Sequence, residues 1–194
     1  MGPSGGFYAI RKNLFKPVPE NFIVDDFYIC MNVLLKGKKA VSSLNSIVYE
    51  DMQNSLYEEL RRKARISTGD FQNLINFKKV LLNPFKVVAF SFVSHKVLRW
   101  ISSFIFLIIL FTSSILMADS LFFFQLFIVQ LIFLLLPIVD ITLHSLKINI
   151  VFLRFTTHLM VLNVALLTGF FKNMRGIKNG IWNPTKRIVE NGRI

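Results

Sequence analysis

Two stretches without a single charge constrain this chain more than anything else in it. Ile101 to Ala118 and Ser120 to Val139 carry no Asp, Glu, Lys or Arg, and only Asp119 separates them. A helix of roughly 20 apolar residues spans the hydrocarbon core of a bilayer. Each run is therefore read as a transmembrane helix, with a tight turn at Asp119. Charge is spread through Met1 to Trp100 instead, and this segregation lets a mean hydropathy of +0.52 coexist with 18% charged residues.

The net charge of +12 is compatible with nucleic acid, anionic lipid or a phosphate-bearing substrate. Its distribution favours the membrane. The Asp119 turn has no Lys or Arg, whereas Lys86, Lys96 and Arg99 precede the spans and Lys147 and Arg154 follow them. By the positive-inside rule both flanks are cytoplasmic, in a multi-pass protein of the cell membrane. Most of the 21 Phe lie in or beside the apolar runs rather than on a basic soluble face, so nucleic acid is not expected as a partner. The opening MGPSGGFYAIRK lacks the basic and then apolar pattern of a secretory signal. A lone Cys30 rules out an intramolecular disulfide and any multi-cysteine metal site.

Ahead of the spans, FYAI, Phe22 to Val24 and KKAVSSLNSIVYE read as strands, and Phe27 to Lys36 as a helix ended by Gly37. SLYEELRRKARIS reads as a charged helix and DFQNLINFKKVLL as a second one after Gly69. Residues 84–100 fit an amphipathic helix in the membrane interface. A third apolar stretch, residues 148–171, contains Arg154 and His158. An Arg at a helix centre costs about 2.5–3.5 kcal/mol on insertion scales. Arg154 lies near the end of the stretch, where it can snorkel. This helix is expected either to cross or to dip in and return.

Taken alone, Asp25 and Asp26 are a helix cap, and Glu58 and Glu59 pair with Arg62 and Lys63 on a solvated face. Neither His144 nor His158 has a ligand cluster near it in sequence, and no metal ligand is assigned in this chain.

The order of several motifs adds to that reading. GGFYAIRK, VDDF, RRKARI followed by Gly69, SHKVLRW and WNPTKR together resemble the C-terminal portion of membrane-embedded family 2 glycosyltransferases, the cellulose-, chitin-, hyaluronan- and poly-N-acetylglucosamine-synthase-like enzymes. The resemblance implies an α/β fold plus membrane helices. The C-terminal lobe of a GT-A domain would occupy 1–83, an interfacial helix 84–100, the membrane region 101–171 (spans 101–118, 120–143 and 148–171), and a basic cytoplasmic tail 172–194. It implies an inverting transferase moving a sugar from a nucleotide-sugar donor to a glycan acceptor. Asp26 is then the catalytic base and Asp25 its neighbouring carboxylate. Arg62 and Arg65 hold the donor pyrophosphate, and Gly5 and Gly6 lie on the acceptor side. Val24 and Ile66 depart from the family's usual Thr-Glu-Asp and Gln-x-x-Arg-Trp wording. No Asp-x-Asp motif occurs in the sequence. The divalent metal implied for a full enzyme, magnesium or manganese, thus has its ligands elsewhere, in a separate N-terminal glycosyltransferase half. The chain by itself is expected to turn over poorly. The alternative is a non-catalytic membrane subunit or scaffold for such a half.

Overall fold

A computed structural model describes residues 7–43, 45–47, 55–83 and 85–177. Every regular element among them is helical. The longer helices are α1 (Asp25–Leu35), α2 (Leu56–Asn76), α3 (Val87–Phe92), α4 (Leu98–Leu116), α5 (Leu121–Ser145) and α6 (Val151–Met174).

The expected α/β lobe of a GT-A domain is therefore corrected: the described residues contain no strand and no sheet. Phe7–Ile10 and Phe22–Val24 are irregular, as are the described residues of 38–47. A strand needs a neighbour for its backbone N–H and C=O groups, and the described residues provide none for these segments. Val41 and Ile47 are left exposed. Their apolar residues suit a strand, but no described residue completes a sheet around them.

Local signals place α1 well. It starts after Val24 in extended conformation, and Gly37 follows its end at φ 71°, the left-handed geometry that glycine takes without strain. The two helices expected on either side of Gly69 are one continuous helix, α2, followed by a short 3-10 turn at Lys78–Leu82. Gly69 is spared by close packing rather than by a break. A Cβ there would lie 2.9 Å from Val24 Cβ. Phe27, Tyr28 and Met31 of α1 meet Phe71 of α2, Phe77, Phe92 of α3 and Trp100 of α4 in one buried cluster. Phe27 stacks on Phe92 with ring centroids 5.7 Å apart, and Trp100 sets its edge to both. Aromatic pairs of this kind add about 0.5–1.5 kcal/mol each beyond the area they bury.

Three helical segments, Val87–Leu116, Leu121–Ser145 and Val151–Met174, are long and apolar enough to cross a membrane, and the chain is read as a membrane protein. The residues assigned to an interfacial helix run on into the first of these through a single π-helical turn, Val93–Val97. α4 and α5 form an antiparallel hairpin through the Asp119 turn. Ser113 donates a 2.8 Å hydrogen bond to Gln130 Oε1 inside it. Ile108, Phe111, Phe122 and Val129 are exposed on its outside, a surface suited to lipid and not to water.

Arg154 has a partner that its sequence position did not reveal. Asp140 of α5, buried, accepts a 2.7 Å hydrogen bond from Thr157 Oγ1 and lies 3.5 Å from Arg154 Nη1. α2 lies lengthwise on α6. Ser67 donates to the Leu166 carbonyl, Glu59 pairs with His158 at 2.9 Å, and the rings of Phe71 and Phe170 are 5.3 Å apart. Gly169 permits this approach, because a Cβ there would meet the Ser67 side chain and come within 2.7 Å of the Thr68 backbone nitrogen. Gly169→Ala is expected to push the two helices apart and destabilise the protein by about 1–3 kcal/mol. A lowered melting temperature in detergent checks this.

Candidate functional site

The first turn of α1 projects two carboxylates at the junction between an extended segment and a buried helix. Val24 occupies the N-cap position that sequence gave to Asp25, and the aspartates are the first two helical residues. Asp25 Oδ1 accepts from the Asp26 N–H at 2.9 Å, and Asp26 Oδ1 from the Phe27 N–H at 2.6 Å. These bonds satisfy donors that a helix leaves open at its start. Both carboxylates also benefit from the positive end of the helix dipole.

Asp25 is exposed, whereas Asp26 is half-buried. Burial pushes the Asp26 carboxyl above the ordinary aspartate range. The Phe27 N–H opposes this, the charge of Asp25 adds to it, and Lys96 and Arg65 pull the other way. Arg65 is half-buried too. Burial and then the neighbouring Arg62 lower its pKa, while Asp25 and Asp26 favour its charge. Asp25 and Asp26 thus act on Arg65, and Arg62 reaches the group through Arg65. Tyr8 joins its edge: burial, Asp25 and Asp26 in that order raise its phenol above 10.0. Gly5, Gly6 and the WNPTKR motif lie outside the described residues.

Two members of the site were not found from sequence. Asp70, on the buried side of α2, is pushed up to about 6, first by burial. Lys96 and Arg99 oppose that rise, the charge of Asp26 assists it, and Trp100 favours the carboxylate. Lys96 sits in the π-helical turn, with Nζ 5.2 Å from the centre of the Phe27 ring. In sequence Asp70 is one acid in a charged helix, and only the α2 residues buried around it, Ala64, Ser67, Phe71 and Asn73, mark it as inward-facing. The reading of Glu59 also changes, because it reaches across to His158.

The described residues contain no group of three or more His, Cys, Asp or Glu side chains able to hold a metal ion. Asp25 and Asp26 alone do not make a ligand set for magnesium or manganese, which takes several oxygen ligands around the ion. What the cluster offers is a half-buried carboxylate close to guanidinium and ammonium groups. That arrangement can accept a proton on one side and stabilise an anion on the other.

No family model matches the chain, and neither a curated protein nor a solved structure matches it.

Asp70 has a thermodynamic signature. Its carboxyl is harder to ionise in the folded state than in the unfolded one. The stability tied to its proton is complete below pH 4 and is lost as pH rises through about 6. A rise of about two units corresponds to about 3 kcal/mol. Asp70→Asn removes the titration, so melting temperature should fall less steeply between pH 4 and 7 than in the wild type. The variant should gain on the wild type as pH rises.

Proposed function

We propose that this chain carries the acceptor-side machinery of an inverting glycosyl transfer at a membrane. A sugar would pass from a nucleotide-sugar donor to a glycan acceptor. The observation that carries the reading is the proximity of Asp26 and Arg65. They come from different helices, and each is close enough to bias the other's ionisation. The motif resemblance assigns these two residues to the two halves of one reaction.

In this reading the Asp26 carboxylate takes the proton from an acceptor hydroxyl as its oxygen attacks the anomeric carbon of the donor. The bond from that carbon to the diphosphate breaks, and the nucleoside diphosphate leaves. Arg62 and Arg65 hold its negative charge through charge-assisted hydrogen bonds. Asp25 and the N-terminus of α1 keep the base in place. The donor nucleotide is bound by a separate polypeptide segment bearing an Asp-x-Asp motif, which these 194 residues do not contain. No step is assigned to a metal, since the described residues provide no ligand set for one.

Sugar transfer by membranes from the source organism, carrying the altered chain at its native level, tests the proposal. Asp26→Asn should lower transfer from a panel of UDP-hexoses and UDP-N-acetylhexosamines by about 10²–10⁴-fold, the range that positioned general bases contribute. Unchanged transfer sinks the catalytic reading. It would favour the alternative, a non-catalytic membrane subunit, which the lack of a sheet among the described residues also supports.

The pH profile adds a second criterion. A base works only when ionised, so the acid limb follows Asp26, whose pKa is raised. Asp25 contributes to that rise. Asp25→Asn should therefore move the acid limb to lower pH while leaving substantial activity at neutral pH.

A further inference from the structure

Contacts at both ends of α6 fix its direction relative to the hairpin. The Ser113–Gln130 hydrogen bond and the Phe106–Phe133 ring contact set the register of α4 against α5. In that antiparallel register Asp140 lies level with roughly residues 99–103 of α4. Asp140 holds Arg154 and Thr157, near the start of α6. Toward the other end of α6, the Phe170 ring is 4.8 Å from that of Phe104. Both parts of α6 therefore meet the hairpin at nearly the same height, where the uncharged run begins at Ile101.

A helix rises 1.5 Å per residue, so Thr157 and Phe170 are separated by roughly 20 Å along α6. Were α6 aligned with α4 and α5, Phe170 would lie that much farther along the hairpin, toward the Asp119 turn. It does not, so α6 lies across the end of the hairpin.

The company of α2 points the same way. Glu59 to His158, Ser67 to Leu166 and Phe71 to Phe170 keep one constant offset, so α2 runs parallel to α6 over this length. α2 carries Glu58, Glu59, Arg61, Arg62, Lys63 and Arg65. A crossing α6 would draw these charges into hydrocarbon, where each is strongly disfavoured. The side of α6 turned away from α2 bears Met160, Val164, Leu167 and Phe171 at helical spacing. Val164 and Phe171 are 41% and 56% exposed, and Met160 and Leu167 are half-buried.

We infer that α6 does not cross the bilayer. It lies in the interface on the side where α2 sits, and its apolar stripe of Met160, Val164, Leu167 and Phe171 rests on the acyl chains of the lipid surface. Length and hydropathy qualify α6 as a span, but its neighbours fix it as an in-plane helix. The inference stands apart from the proposed chemistry.

Single cysteines placed in the full chain, in a Cys30→Ala background, test it by labelling sealed membrane vesicles with a membrane-impermeant maleimide. Lys38→Cys and Leu146→Cys report the α2 side, and Asp119→Cys reports the opposite side. Met174→Cys is expected to label together with Lys38→Cys and Leu146→Cys, without permeabilisation. Met174→Cys labelling together with Asp119→Cys overturns the inference. Arg175→Cys, exposed one residue past α6, gives the same readout with the same two outcomes if the Met174 variant does not accumulate.

Discussion

The close approach of α2 to α6 is the contact on which the rest of the arrangement depends. It pairs a helix rich in charge with one rich in apolar side chains, and small residues bring their backbones together. Ser67, Thr68 and Gly169 remove the bulk that would hold the axes apart, and the Ser67 hydroxyl uses a carbonyl of α6. Glu59 and His158 sit toward one end of this seam, and Phe71 and Phe170 toward the other. Because α2 also carries Arg62, Arg65 and Asp70, its seating on α6 fixes where the candidate site stands on the helical framework. The site's other half arrives with α1, which packs into the same structure through Phe27 and Met31.

Buried charge in this protein is handled in two different ways. Asp140 is compensated directly, by the hydroxyl of Thr157 and the guanidinium of Arg154, so that α5 and α6 carry a matched pair between them. Removing one partner of a buried pair leaves the other uncompensated, which makes such a pair a strong constraint on how helices associate. Asp26 and Asp70 are held differently. Each feels cations at some distance, and burial shifts both toward protonation. Perturbed carboxyls of that kind are a mark of working sites, although structural ion networks produce them as well.

The helices of this fold were legible where one segment decides its own fate. The uncharged runs gave the hairpin, Asp119 its turn, and Gly37 the end of α1. Strands were misread because a strand is a property of at least two segments. FYAI and the described residues of 38–47 have suitable residues, but sequence does not disclose whether a neighbour exists. Gly69 misled for a related reason, since glycine serves both helix ends and close contacts, and here Val24 needs the space. In the site, adjacency in the chain exposed Asp25 with Asp26, and three-residue spacing exposed Arg62 with Arg65. Asp70 and Lys96 enter only through tertiary packing, as does the pairing of Arg154 with Asp140. The third apolar stretch shows the same limit, because its length speaks for crossing while its orientation is set by α2 and the hairpin.

The π-helical turn at Val93–Val97 lies between α3 and α4 within one continuous run of helix. A π turn takes one residue more than an α turn, so side chains downstream are rotated by about 100° relative to an uninterrupted helix. The rod can therefore present one azimuth to the aromatic cluster at Phe92 and another to lipid beyond Ile101. The extra residue acts as a phase adjuster between the two ends of the rod. It uncouples the facing of the segment before the turn from that of the segment after it, and lets each follow its own hydrophobic pattern along a single unbroken axis.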